Sequence, residues 1–100
     1  MDVYRVTMSD RAVKDLDEIY SYIASILIEP GTALSLVSEI ESGILSLDIM
    51  PHRCPKRKVG VYANKGYRQL FIKNYSVVFR IVESKKQVII ITIRYSAMQF

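Results

Sequence analysis

The residues of this chain best suited to chemistry are cations, and they are concentrated. Between positions 49 and 82 stand Arg53, Lys56, Arg57, Lys58, Lys65, Arg68, Lys73 and Arg80, with no Asp or Glu among them. Unopposed positive charge on that scale is suited to holding phosphates or carboxylates. Groups that can move a proton or attack a bond are fewer. His52 is the only histidine; an imidazole with an ordinary pKa near ~6.5 can act as a general base, although an exposed loop histidine needs no such role. Tyr95 can stack on a base or donate a proton, or simply pack within a strand. Cys54 has no partner at a spacing that would activate a thiol, and no second cysteine for a disulfide or metal site. No metal, nucleotide or organic cofactor signature is present.

The rest of the chain is electrically different. Residues 1 to 48 hold nine acids against three basic residues, and the last 18 residues hold one acid against three. The formal net charge of +4 therefore conceals an acidic half and a basic half, which bears on partners more than on fold. A hundred residues that are 50% hydrophobic fit one domain spanning 1–100 with a modest core, and exclude the disordered class. No run approaches the ~18 apolar residues of a membrane helix. The opening Met1-Asp2-Val3-Tyr4-Arg5 lacks the apolar core of a secretory signal, so a reducing cytoplasm is the expected compartment.

Apolar periodicity predicts the elements that must carry these side chains. Residues 3 to 8 alternate, with Tyr4, Val6 and Met8 on one side, which is a strand pattern. Ser9 offers an N-cap to a helix whose apolar stripe runs Ala12, Leu16, Ile19, Tyr20, Ile23 and Leu27, ending near the breaker pair Pro30-Gly31. Asp15, Asp17 and Glu18 mostly fall off that stripe. A second helix shows Ala33, Val37, Ile40, Ile44 and Leu47, and ends before Pro51. Gly43 within it marks either a close crossing with the first helix or a tolerated interruption. Residues 52 to 66 read as a basic loop, with room for a short strand at Val59 to Tyr62. Three strands follow, at Tyr67 to Ile72, Tyr75 to Val82 and Gln87 to Tyr95. The last is apolar on both faces and should lie centrally. The fold class is α+β, in the order β-α-α-β-β-β, with a mostly antiparallel sheet and a helical hairpin on one face.

A two-residue turn at Lys73-Asn74 sets the register of the hairpin. Ile72 then faces Tyr75, Leu70 faces Val77, and Arg68 faces Phe79, giving an apolar side for the helices. Tyr67, Gln69 and Phe71 share the other side with Ser76, Val78 and Arg80, extended by Thr92 and Arg94. That mixed, aromatic and cationic side is the expected free face.

The hairpin run Lys65-Gly66-Tyr67-Arg68-Gln69-Leu70-Phe71-Ile72-Lys73-Asn74-Tyr75-Ser76-Val77-Val78-Phe79-Arg80-Ile81-Val82 resembles the core hairpin of RelE/ParE-superfamily toxins of bacterial type II toxin–antitoxin pairs. The upstream pattern of Ala12, Asp15, Leu16, Ile19, Tyr22 and Ile23, then Ala33, Leu36, Ile40, Ile44, Leu47 and Met50-Pro51, agrees. The resemblance implies a growth inhibitor held in check by a cognate antitoxin, and contact with operator DNA only through that antitoxin. It implies one of two targets, DNA gyrase or mRNA on the ribosome. Cutting RNA by 2′-hydroxyl attack needs a base, cations on the phosphate and an acid for the leaving oxygen. In the nuclease branch cations project from the free face at positions matching Tyr67, Gln69 and Ser76, and an arginine pair often follows the last strand, where this chain has Ala97 and Met98. Those departures favour a gyrase-directed toxin. They leave Arg80, Arg94, Tyr95 and His52 as the catalytic candidates of the nuclease alternative, and a non-toxic remnant that only binds antitoxin as a third reading. Arg53, Lys56, Arg57, Lys58, Lys65, Arg68, Lys73, Arg80 and Arg94 are the expected contacts to target or antitoxin.

Overall fold

In a computed structural model that describes residues 2–98, strand β1 (Arg5–Met8) leads into helix α1 (Asp10–Ser21) and a π-helical turn (Tyr22–Ile26). Helix α2 (Pro30–Leu45) returns antiparallel, and after a long loop come β2 (Arg68–Ile72), β3 (Tyr75–Val82) and β4 (Gln87–Tyr95). The sheet order is β1-β4-β3-β2, with β1 parallel to β4 and the other pairs antiparallel. The α+β class and element order expected from the sequence are found. Among the described residues no helix is long and apolar enough to cross a membrane.

Ser9 begins α1 as expected, its hydroxyl accepting the Ala12 N–H at 3.0 Å. The stripe holds as far as Ile23 and then fails. The π turn adds a residue per turn at Tyr22–Ile26, which rotates the following positions off the core face and leaves Leu27 exposed. Ile28 then takes a left-handed conformation with φ of 55°. Pro30 does not merely stop the first helix; it is the first residue of α2, where its missing N–H is no loss. Ala33 is buried, and Ile40, Ile44 and Leu47 enter the core with Val77, Phe79, Val88, Ile90 and Ile93.

Gly43 marks a close crossing, but with β2 and not with α1. A Cβ there would lie 3.1 Å from Ile72 Cγ1 and 3.5 Å from Leu70 Cδ2. The hairpin register is the one a two-residue turn dictates, Ile72 to Tyr75, Leu70 to Val77 and Arg68 to Phe79. β4 is central, between β1 and β3. Its pairing slips at Ile91, so that Thr92 faces Val78 while Ile90 faces Phe79. This bulge lets Ile93, Ile90 and Val88 all enter the core despite their uneven spacing.

Candidate functional site

The outer side of the sheet is less open than alternation suggested. Ser76, Val78 and Thr92 are buried, whereas Phe71 is 55% exposed and Arg80 is exposed. Of Tyr67, Gln69 and Ser76, singled out on this face by the sequence, two are held in local bonds. Gln69 Oε1 accepts from Arg57 Nη1 at 2.8 Å, and the Ser76 and Ser96 hydroxyls pair at 2.8 Å. At the third, Tyr67 packs edge-on against Tyr62, centroids 5.2 Å apart.

The loop before β2 explains where the bonds come from. Val59 to Tyr62 forms no strand; Val59 and Val61 are exposed. Instead residues 55–57 line the edge of β2: Gln69 N–H donates to Pro55 O at 3.0 Å and Arg57 N–H to Tyr67 O at 2.7 Å. Arg57, expected as a contact to a partner, is 6% exposed and staples the loop, its Nε donating to Val59 O at 3.1 Å. Burial lowers its pKa from the ordinary value. Arg53 ties down the turn after α2, donating to the carbonyls of Ile49 and Met50 and to the hydroxyl of Ser46, the C-cap of α2. Arg68 donates to His52 O and Cys54 O. Lys73 pairs with Glu39 at 3.7 Å. Lys56, Lys58, Lys65 and Arg80 are exposed, and their side chains make no hydrogen bond or ion pair among the described residues. The nine expected contacts thus divide, and charge alone could not sort the arginines that bind carbonyls from the cations left open.

The four catalytic candidates do not converge. Arg94 faces Ser76 across β3–β4, four residues of strand from Arg80, or about 13 Å. Tyr95 meets Tyr75 at the start of β3, ring centroids 5.7 Å apart. His52 lies beyond the other end of β3, 3.6 Å from Glu83 Oε2 and edge-on to Tyr4. The length of β3 puts about 23 Å between those two ends.

Arg94 and Tyr95 border a groove of about 840 Å³ between α1, the π turn and the ends of β3 and β4, lined also by Lys14, Tyr22, Leu27 and Met98. Its wall depends on Asp15, which sequence periodicity assigned to solvent. Past Met8, β1 no longer covers the edge of β4, and α1 takes over. Ser9 Oγ donates to Ile91 O at 2.8 Å, Ile93 N–H donates to Asp15 Oδ2 at 3.1 Å, and Thr92 Oγ1 donates to the same carboxylate oxygen. The other missed cluster surrounds Glu83, which accepts from Tyr4 Oη at 2.9 Å and Lys86 Nζ at 2.7 Å. The Lys86 and Tyr4 bonds hold the Glu83 carboxyl below its ordinary pKa, while Glu83 and Asp2 raise that of Lys86. Only the long sequence separation hid it. No group of three or more His, Cys, Asp or Glu able to hold a metal occurs among the described residues.

This fold, with a two-helix hairpin over a β1-β4-β3-β2 sheet, meets a family model described as "ParE toxin of type II toxin-antitoxin system, parDE", which matches residues 6–100. The chain belongs to the ParE toxin family. Among solved structures it is similar to the chromosomal ParDE system of P. aeruginosa, with 26% identity, a TM-score of 0.76, and coverage of 93% of this chain and 96% of that one. The RelBE2 toxin–antitoxin complex of Mycobacterium tuberculosis gives 20% identity and a TM-score of 0.66 over 98% and 97% of the two chains. The intact E. coli RelBE complex gives 12%, 0.62, 95% and 99%. These last two share the fold. No curated protein matches the sequence. Membership in the ParE family makes this chain a type II toxin, as its hairpin led us to expect.

Proposed function

We propose that this ParE-family toxin arrests growth without cutting RNA, by acting on DNA gyrase, and is neutralised by an antitoxin that docks across the groove beside α1. The observation that carries the reading is the dispersal of Arg80, Arg94, Tyr95 and His52 over about 23 Å of strand. Phosphodiester cleavage needs its base, acid and phosphate-holding cations within hydrogen-bond reach of one reacting group. With Gln69 and Ser76 engaged locally, the outer face supplies no alternative set. The groove suits a folding segment of antitoxin, since Tyr22, Leu27, Tyr95 and Met98 are exposed on its walls beside Arg11 and Lys14.

Inducing the chain alone in cells, then with an adjacent antitoxin gene, separates the readings. We expect growth arrest with DNA breaks, an SOS response and intact messages, reversed by the antitoxin. Rapid loss of translated messages would instead identify a nuclease, and normal growth a protein that has lost toxicity.

A further inference from the structure

The tip of the helical hairpin shows its apolar side chains to solvent. Ile26, Leu27 and Ile28 are consecutive and 65%, 53% and 80% exposed, and Tyr22 is 55% exposed. Leu27 N–H donates to Tyr22 O at 3.2 Å, which holds the tyrosine one turn from the three. Backbone geometry produces this exposure. The π turn rotates Leu27 out of the core. Ile28, at φ of 55°, holds a left-handed conformation that β-branched residues rarely adopt. No packing offsets that strain, because Ile28 is the most exposed large apolar residue among those described. Strain and exposed apolar area at one place mark a surface kept for binding.

We propose that this tip is a self-association surface, pairing with the same tip of a second copy of the chain about a two-fold axis. Charge selects the occupant. From Ile19 to Ser38 the only charged residue is Glu29, at the start of α2, where its Oε2 accepts from Thr32 Oγ1 at 3.0 Å. A nucleic acid or an acidic segment would find no cation in that stretch, and a basic segment a single carboxylate. An uncharged apolar patch is complementary to itself: a two-fold contact sets apolar side chains against apolar side chains and desolvates no charge. Four side chains half or more exposed amount to a few hundred Å² per copy, so the pair lies near the ~1,000 Å² lower limit of specific interfaces and is weak, on the order of 10–100 μM. Tyr22 and Leu27 also wall the groove, so a second copy and a groove ligand exclude one another at that end. The self-contact is independent of which target the toxin stops.

The test is sedimentation velocity of the purified full chain from about 1 to about 300 μM, a range that brackets the expected dissociation constant. The mass should rise from that of the 11.5 kDa monomer to twice that value and no further. Raising salt to about 500 mM should not weaken pairing, since ions screen charges and not apolar contacts. Leu27→Gln combined with Ile28→Asn should weaken association at least tenfold. Asparagine accepts a left-handed backbone readily, so Ile28→Asn alone should keep or raise the melting temperature while it weakens pairing. Val13→Gln, exposed on α1 about 13 Å from Tyr22, should leave pairing unchanged. A monomer at every concentration, pairing lost in high salt, pairing indifferent to the Leu27 and Ile28 substitutions, or growth past the dimer would overturn the proposal. A monomer whose antitoxin binding weakens with Ile28→Asn would also overturn it and give the tip to the antitoxin.

Discussion

At the scale of single residues, the fold rests on polar side chains that periodicity cannot rank. Asp15 sits among apolar neighbours on α1, yet it caps the exposed edge of β4 through Thr92 and Ile93. Asp15→Ala would leave the Thr92 hydroxyl proton and the buried Ile93 N–H without their acceptor, a loss of about 2–3 kcal/mol that denaturant unfolding can measure. Asp15→Asn, which keeps an acceptor, should recover part of it. Arg57 was equally illegible, because a sequence shows its charge but not the carbonyl and amide oxygens waiting for it. The Glu83 cluster makes a statement about pH. Glu83 has a lowered pKa, so its contribution is complete above its ordinary 4.5 and is lost as pH falls through the depressed folded value. Lys86 and Tyr4 have raised values, so theirs are complete below 10.5 and 10.0 and are lost as pH rises through the folded values. Melting temperature should plateau between these limits, and Glu83→Gln should flatten the acid limb.

At the scale of elements, what could be read was what alternation and turns control. The Lys73-Asn74 turn fixed the β2–β3 register, and the two-faced apolar run of β4 placed it centrally. The π turn was not legible, since Tyr22 to Leu27 fits a continuous α stripe and only packing selects the wider turn. The bulge at Ile91 was hidden for the same reason: the run Ile89-Ile90-Ile91 offers an isoleucine to either register. Gly43 was recognised as a possible crossing point with the wrong partner. Because a Cβ there crowds the end of Ile72, which is half-buried and can turn aside, Gly43→Ala sets a propensity gain of ~1 kcal/mol against overpacking of ~1–3 kcal/mol. Thermal unfolding should show a net loss of about 0–2 kcal/mol for alanine and a loss above about 2 kcal/mol for Gly43→Val, whose branches cannot be accommodated. A stabilised valine variant would mean α2 and β2 do not approach as described.

For the whole molecule, the two electrical halves of the sequence fall in different parts of the fold. The acidic half builds the helices and one wall of the groove, β3 and β4 build its other wall, and the basic half builds the long loop and the β2–β3 hairpin. Within the basic half, Arg53, Arg57 and Arg68 bind backbone oxygens, whereas the side chains of Lys56, Lys58, Lys65 and Arg80 have no partner among the described residues. The proposal that this ParE-family toxin binds and obstructs rests on its proton-transfer candidates standing at opposite ends of a strand. The most direct test is to add the purified chain to ribosomes translating an end-labelled message, and in parallel to gyrase with relaxed plasmid. The account predicts an uncut message together with inhibited supercoiling or linearised plasmid. A message cleaved on the ribosome while gyrase turns over normally would contradict it.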